Sequence, residues 1–240
     1  MKKLLMSMIV LLISGTMMAQ KVEVKKEARH FLALHGGVSI PLGDFGSTSL
    51  NPSSSLIADK GAGFAKTGFN INLTYGYKIT DPIGITASAF YNNHKLDISA
   101  IQREMEKELD VPTGTLNSLK MDHFQWYGIS AGPMFTQNIS SAILFNLRVM
   151  GGVANVNSPK TEFENSLLIK EDWSAAPLFR GGVDFLFDVG GNLYIFTSAD
   201  YLYMKPKFTM QATIENETFT ETAKQNIAVV NLSGGLALRF

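Results

Sequence analysis

The sequence predicts an all-β fold, a transmembrane up-and-down antiparallel β-barrel of about eight strands. Three observations predict it. From residue 30 onward, apolar and polar side chains alternate with a period of two in about eight segments. The connections between these segments are alternately short and long. The alternation continues to the last residue, Phe240, whereas most soluble chains end in a few polar residues.

The N-terminus has the features of a secretory signal. Two lysines precede an apolar run, Leu4–Ile13, that is too short for a comfortable membrane span, and Ala19 is the expected last residue before cleavage. An N-terminal membrane anchor is the alternative. No later segment is long and apolar enough for a transmembrane helix, so any membrane span must consist of strands. We expect a signal peptide at 1–19, a periplasmic leader at 20–29 and one barrel domain at 30–240.

The composition excludes several classes of protein. Lys and Arg together number 21, as do Asp and Glu, which argues against a nucleic-acid-binding protein. The chain has no Cys, and this excludes disulfides, thiolate zinc sites and a lipid-modified cysteine. No cofactor is expected.

The alternating segments are separated by turn residues. They lie near 30–43, 66–80, 84–97, 122–137, 141–156, 175–188, 192–207 and 224–240. In the clearest one, FNINLTYGYKI, Phe69, Ile71, Leu73, Tyr75, Tyr77 and Ile79 fall on one face. In the fourth, the phase is ambiguous around HFQWYG, where a β-bulge would switch it.

The residue types on the two faces distinguish a membrane barrel from a soluble one. A soluble barrel would present Lys, Glu and Asp to water on its outer face. Here the polar face consists of Gly, Ser, Thr and Asn with rare single charges, which suits a narrow interior. Aromatic residues also gather toward both ends of the apolar face, as an interfacial girdle requires: Tyr75, Tyr77, Phe185, Phe187 and Phe240 at one end, and Tyr91, Tyr201 and Tyr203 at the other.

The second long connection contains an amphipathic helical pattern. Within Ile98–Asp110, an apolar stripe is formed by Ile98, Ile101, Met105 and Leu109. Ser99 and Gln102 have capping-box spacing. We predict a short helix there, and a disordered acidic loop is the alternative because helices this short are marginal alone.

At this point the chain resembles the small outer-membrane β-barrel proteins of Gram-negative bacteria, of the OmpA membrane-domain and OmpX type within the porin family. The resemblance rests on the signal, the alternating strands, GGVSIPLGDF and the terminal NLSGGLALRF. It implies residence in the outer membrane with both termini in the periplasm. It also implies that the barrel-assembly machinery reads a C-terminal signal, which Leu236, Leu238 and Phe240 match.

The interior face carries a few charges that we place by their distance from the short-turn rim. Arg148, Arg180 and Asp200 come to similar heights on sequential strands, so we expect one cluster near mid-barrel. Asp184 and Arg239 are expected to form a second near the periplasmic rim, where Lys78 also lies. Buried charges must be paired or solvated. A plug that fixes strand register is favoured over a gated ion or proton path.

One weak group at the long-loop rim contains residue types that serve proton transfer or zinc binding. His94 and His123 end adjacent segments beside Asp97 and Asp122. No catalytic motif accompanies them, so ordinary rim residues are favoured, and we predict no catalytic or metal site.

The expected function is therefore non-enzymatic. We predict an integral outer-membrane protein with a structural or interaction role, whose long extracellular loops meet an extracellular or periplasmic protein partner and whose lumen is plugged by polar and charged side chains. A narrow channel or a secretion-helper barrel is the alternative, and a rim-site lipid or peptide enzyme ranks third. Other expected partners are outer-membrane lipid and the assembly machinery.

Overall fold

The chain folds into a closed barrel with a small second sheet at one end. The computed structural model describes residues 28–50, 61–115, 118–163, 167–214 and 217–240. The predicted signal and most of the predicted leader lie outside these residues. The strands in chain order are β1 (His30–Leu42), β2 (Gly68–Lys78), β3 (Ile83–His94), β4 (Leu119–Met121), β5 (Phe124–Ser140), β6 (Ile143–Ser158), β7 (Thr161–Phe163), β8 (Leu167–Ile169), β9 (Asp172–Gly190), β10 (Leu193–Met204), β11 (Lys207–Ile214), β12 (Glu217–Lys224) and β13 (Ile227–Arg239).

Eight of these strands form the barrel, in the order β1-β13-β10-β9-β6-β5-β3-β2, and every neighbouring pair is antiparallel. The last strand closes the barrel by pairing with the first from Phe31 opposite Arg239 to Leu42 opposite Ala228. The eight predicted segments correspond to these strands, so the predicted fold class is confirmed.

The barrel wall has an apolar outer face, as the alternation predicts. In β2, Phe69, Ile71, Leu73 and Tyr75 are exposed, whereas the Asn and Thr residues between them are buried in the lumen. Exposed Leu, Ile, Val and aromatic side chains continue around every barrel strand. A continuous apolar outer surface matches a lipid environment and would be unfavourable in water.

The three predicted short turns are tight hairpins, between β2 and β3, β5 and β6, and β9 and β10. In the last of them, Gly190, Gly191 and Asn192 have φ values of 100°, 62° and 71°. Gly and Asn are the residues that adopt this left-handed region at least cost, which explains VGGN at this turn.

The fourth barrel strand, β5, resolves the ambiguous phase. Its register with β3 runs without interruption from Ile83 opposite Phe135 to His94 opposite Phe124. No bulge therefore switches the faces near HFQWYG. Trp126 points into the lumen and is fully buried, whereas Tyr127 is exposed on the outer face.

Five short strands form a second sheet beyond the long-loop end of the barrel, in the order β12-β11-β8-β7-β4. β7 and β8 lie within SPKTEFENSLLIKED, and β12 lies within IENETFTETAK, in long connections that the sequence analysis predicts to be loops. That prediction is wrong in part. Three-residue strands such as β7 carry too little alternation to be recognised, and they are stable only through pairing with one another.

The predicted helix of the second long connection is present as α1 (Ile98–Glu108), two residues shorter than expected. Its N-cap is Asp97, whose carboxylate accepts a hydrogen bond from the amide of Ala100 at 3.1 Å. The predicted capping role of Ser99 is therefore wrong. Leu109, predicted on the apolar stripe, is 59% exposed and lies at the C-cap, after the last helical residue. Among the described residues, no helix is long and apolar enough to cross a membrane.

Candidate functional site

Two arginines and two aspartates form a hydrogen-bonded cluster inside the barrel, here called the lumen cluster: Arg148, Arg180, Asp184 and Asp200. Arg148 Nη2 lies 2.5 Å from Asp184 Oδ1 and 2.9 Å from Asp200 Oδ1. Arg180 Nη2 lies 2.8 Å from Asp200 Oδ2. All four side chains are almost completely buried, and their formal charges sum to zero. Such charges are tolerated in an interior only when paired.

The cluster forms because of the register of three neighbouring strands. Arg148 of β6 is paired with Gly182 of β9, and Gly182 is paired with Asp200 of β10. A Cβ atom on Gly182 would lie 2.1 Å from Asp200 Oδ1. The missing side chain therefore leaves the space through which Arg148 reaches across β9 to the carboxylate.

The structure brings together Arg148, Arg180 and Asp200 as expected from their heights, but it places Asp184 with them. The predicted contact of Asp184 with Arg239 is wrong. Asp184 is level with Ser198 and Ser233, and Arg239 lies six residues further along β13, about 20 Å away.

Arg239 and Lys78 have other contacts near the short-turn rim. Arg239 donates a hydrogen bond of 2.9 Å to the carbonyl of Ala28, and its guanidinium lies over the ring of Tyr194. Lys78 forms an ion pair with Asp81 in the first short turn. Both cations therefore belong to the rim and not to the lumen cluster.

The lumen is layered, which the sequence interpretation did not predict. Toward the short turns lies a lower apolar layer: Phe31, Ala33, Met134, Leu144, Leu186, Tyr194, Phe196 and Ala237. Toward the long loops lies an upper apolar layer, to which the barrel strands contribute Phe90, Phe124, Trp126, Ala154, Val156, Ala176, Leu178, Leu202, Met204, Ile227 and Val229. The lumen cluster occupies the level between them.

A signal for this layering is present in the strands. The inward positions of β10 read Tyr194, Phe196, Ser198, Asp200, Leu202 and Met204, so they change from apolar to polar and back. This change from apolar to polar and back is visible only when the apolar inward residues are considered together with the polar ones. The polar and charged side chains that the sequence predicts to plug the lumen therefore lie at its middle level, between two apolar layers.

Uncharged polar side chains complete the middle level on the opposite side of the barrel. His35 Nε2 lies 3.1 Å from Thr74 Oγ1, which lies 2.9 Å from Ser88 Oγ. Ser233 donates a hydrogen bond of 2.7 Å to Asn70 Oδ1. His35 is thus part of the interior packing.

The first long connection packs against the upper apolar layer of the barrel. Its short helical turn, Gly43–Gly46, inserts the fully buried ring of Phe45 into the upper layer. The ring makes edge contacts with His94, Phe124 and Trp126 at centroid distances of 5.4, 5.4 and 5.8 Å. The upper layer is therefore closed by a side chain from outside the strands.

The four residues of the predicted rim group do not form one site. His94 points inward, stacks on Trp126 and has both ring nitrogens 2.9 Å from polar partners, the Lys66 carbonyl and the Ser39 hydroxyl. Asp97 caps α1, Asp122 is exposed and His123 contacts Asn93. Within the described residues, no three His, Cys, Asp or Glu side chains form a group that could hold a metal ion.

The elements at the long-loop end are tied to the barrel and to one another. Asn226 donates a hydrogen bond of 2.7 Å to Asp44, which joins the first and last long connections. The amide of Thr209 on β11 donates to Asp172 on β9, also at 2.7 Å. Beside β7, the hydrogen bond from Lys160 lowers the pKa of the Glu162 carboxyl.

The predicted assembly signal lies on the outer wall of the closing strand. Leu236, Leu238 and Phe240 are all more than half exposed. The backbone of Phe240 exchanges two hydrogen bonds with His30, of 2.9 and 3.0 Å, and their rings stack at 5.5 Å. The terminal residue therefore completes the seam between β1 and β13.

Comparison with solved structures identifies the architecture. The chain is similar to Neisserial surface protein A, with 13% identity, coverage of 88% of this chain and 97% of that one, and a TM-score of 0.50. It is similar to OprG from Pseudomonas aeruginosa, with 12% identity, coverage of 89% and 97%, and a TM-score of 0.52. It is also similar to a major outer membrane protein from Thermus thermophilus, with 9% identity, coverage of 89% of this chain and 100% of that one, and a TM-score of 0.53. No family model and no curated protein matches. The chain thus has the fold of small outer-membrane barrels.

Proposed function

We propose that the protein is an integral outer-membrane barrel with a sealed lumen, and that its role is structural or interactive and is performed by its extracellular part. The supporting observation is the layered interior. Two apolar layers close the barrel above and below the lumen cluster, and Phe45 fills the upper mouth. A hydrated path for ions or solutes would have to cross both layers.

The second support is the ordered material beyond the barrel. A five-stranded sheet and the helix α1 stand at the long-loop end, which is more structure than a barrel needs for closure. In the orientation implied by the family resemblance, both termini are periplasmic and this end faces the outside. The expected partners are outer-membrane lipid, the barrel-assembly machinery, which would read Leu236, Leu238 and Phe240, and a protein that meets the extracellular sheet or helix.

Single-channel recording in a planar bilayer tests the sealed lumen. We expect no conductance steps from the purified barrel, and heat-modifiable gel migration of the same sample establishes that it is folded. Regular conductance steps from folded protein would refute the sealed lumen and favour a narrow channel.

Protease treatment of intact cells tests the orientation. Trypsin should cut at the exposed Arg103 and Lys107 of α1 and leave an N-terminal epitope after residue 20 inaccessible. Cleavage of the epitope with an intact helix would mean the opposite orientation. Photo-crosslinking from position 103 on intact cells then tests the interaction role, with a crosslinker at the lipid-facing Leu147 as the matched control. If both positions crosslink the same species, the extracellular part has no specific partner.

A further inference from the structure

The outer wall of the barrel continues without a break in phase into one face of the β11–β12 hairpin. Three residues beyond the last pair of β10 and β13, Met204 opposite Ile227, the pairing of β11 with β12 begins in the same register. Outward residues therefore remain outward from the barrel into the hairpin. The exposed face formed in this way is here called the lysine–threonine face: Lys205 before β11, Lys207, Thr209 and Gln211 on β11, and Thr220, Thr222 and Lys224 on β12.

The character of the wall changes along this face. Tyr203 is the last exposed aromatic residue of β10, and exposed tyrosines mark the membrane interface. Lys207 follows it by four residues, about 14 Å along the strand, and Gln211 lies about 14 Å further. The opposite side of the hairpin contributes the buried Phe208 to the upper apolar cluster, which holds the hairpin against the barrel. The lysines thus lie just outside the interface, and the uncharged polar residues lie beyond them.

The positive charges of the face are not neutralised by neighbouring side chains. Lys207 and Lys224 lie directly opposite each other in the strand pairing, where like charges repel. Within the described parts of the chain, neither they nor Lys205 form an ion pair. The flanking carboxylates of Asp44 and Asp172 accept other hydrogen bonds, each of 2.7 Å. An anion bound between the two opposite lysines would relieve their repulsion.

The order of chemical groups along the face matches a phosphorylated glycolipid. Ammonium groups bind phosphate, and these lie at the level of lipid phosphates just outside the aromatic girdle. Beyond them, the hydroxyl and amide side chains donate and accept hydrogen bonds, as recognition of sugar hydroxyls requires. A phospholipid ends near the phosphate level and would leave this outer part without contact, whereas the saccharide of a lipopolysaccharide continues outward.

The face is a local feature of the rim. Toward the long-loop ends of β5, β6 and β9, the outward residues Tyr127, Asn155 and Trp173 carry no charge. The two aromatic rings lie 5.7 Å apart, and Asn155 donates a hydrogen bond of 2.9 Å to the Tyr127 hydroxyl. Lipid at that side of the barrel meets aromatic and amide groups, so it lacks the opposed lysines that would hold a phosphate.

We propose that the lysine–threonine face binds one lipopolysaccharide molecule of the outer leaflet, with a lipid A phosphate between Lys207 and Lys224 and the core saccharide along Thr209 and Thr222. The inference deepens the proposed partnership with outer-membrane lipid, and it rests on the proposed orientation, which puts the hairpin at the outer leaflet. The lysines attract any anionic lipid, whereas the contacts further out select a glycolipid.

Native mass spectrometry of the full-length barrel, titrated with a rough lipopolysaccharide of defined core, tests the proposal. Wild type should retain one molecule per barrel. The variant Lys205→Gln/Lys207→Gln/Lys224→Gln should lower retention about tenfold, which corresponds to about 1.4 kcal/mol. The matched control removes three exposed lysines elsewhere at the same end and should lower retention less than about twofold: Lys95→Gln/Lys107→Gln/Lys120→Gln.

A conservative variant isolates the saccharide contact. Thr222→Val removes the hydroxyl but keeps a β-branched side chain that suits a strand. It should lower retention of the rough lipopolysaccharide about threefold and leave retention of lipid A without core sugars unchanged.

Four results would overturn the proposal, provided that each variant shows heat-modifiable migration. Equal losses in the two triple variants would indicate general attraction by charge. Equal retention of phosphatidylglycerol and lipopolysaccharide by wild type would indicate any anionic lipid. An unchanged Thr222→Val would remove the saccharide contact, and tighter retention of soluble dextran sulfate would assign the face to an external polyanion. The assay uses purified protein, so failure here together with trypsin cleavage of α1 on intact cells would refute this inference and leave the proposed function standing.

Discussion

Replacement of Arg148 by Met removes the residue that links the two carboxylates of the lumen cluster. Arg148 contacts both Asp184 and Asp200, whereas Arg180 contacts only Asp200. The substitution leaves two carboxylates and one guanidinium in a site with no exposed side chain. Met has nearly the length of the arginine stem, so packing changes little and the main effect is one uncompensated negative charge.

The expected loss of stability follows from the short distances between the charged groups. Two charges about 4 Å apart interact by about 4 kcal/mol at an effective dielectric constant of about 20. Removing one partner of a buried pair typically costs about 3–5 kcal/mol. We therefore expect Arg148→Met to lower the free energy of unfolding by about 4 kcal/mol. The double variant Arg148→Met/Asp184→Asn restores a balance of one cation and one anion, and it should recover at least half of that loss.

The assay is urea unfolding in lipid vesicles, followed by the fluorescence of Trp126 and Trp173 and by heat-modifiable migration. One tryptophan is buried in the upper layer and the other is 42% exposed on the outer wall, so together they report on lumen and membrane sides. Measured free energies for the two single variants and the double variant form a double-mutant cycle. A loss below about 1 kcal/mol for Arg148→Met, or strict additivity in the cycle, would refute the electrostatic account.

Three further substitutions have expected outcomes. Gly182→Ala places a Cβ atom 2.1 Å from a carboxylate oxygen of the lumen cluster and should cost about 1–3 kcal/mol in vesicle unfolding, whereas Gly151→Ala, with open space around it, should cost less than about 0.5 kcal/mol. Phe45→Ala should cost about 3–5 kcal/mol and make the tryptophan fluorescence more accessible to iodide, yet the barrel should remain electrically silent because the lower layer persists. Asp97→Ala should cost about 1 kcal/mol and speed proteolysis within α1, and an equal effect of Ser99→Ala would contradict the assignment of the cap.

The barrel could be predicted from the sequence because contact with lipid imposes a simple pattern on the strands. Outward positions must be apolar, so apolar and polar residues alternate with a period of two in strands such as β2. This alternation can be recognised in a single sequence. The heights of Arg148, Arg180 and Asp200 follow from counting along those strands. The second sheet could not be predicted in the same way, because strands of three residues such as β7 and β8 show too little alternation and are held by pairing with each other and with β4 and β11.

The layering of the lumen was missed for a different physical reason. In a membrane barrel, apolar residues are expected on the outer face and polar residues in the lumen. Phe196 and Leu202 are apolar but point inward, so within a single strand each looks like an exception to the pattern. Only the closed barrel brings such residues from different strands to one level. The insertion of Phe45 from a loop is further removed from any local pattern, since its contacts lie about 50 to 80 residues away in sequence.

The layering also answers a question that the apolar outer face leaves open, namely how each strand finds its register. A slip by two residues keeps every side chain on its own face, so lipid does not distinguish such registers. The interior does. In one direction, a slip of β10 against β9 would put Asp200 opposite Asp184, and like charges directly across a strand pair repel. In the other, it would carry Asp200 about 7 Å from the level of Arg148. The lumen cluster therefore favours the observed register over registers that lipid contact alone does not exclude.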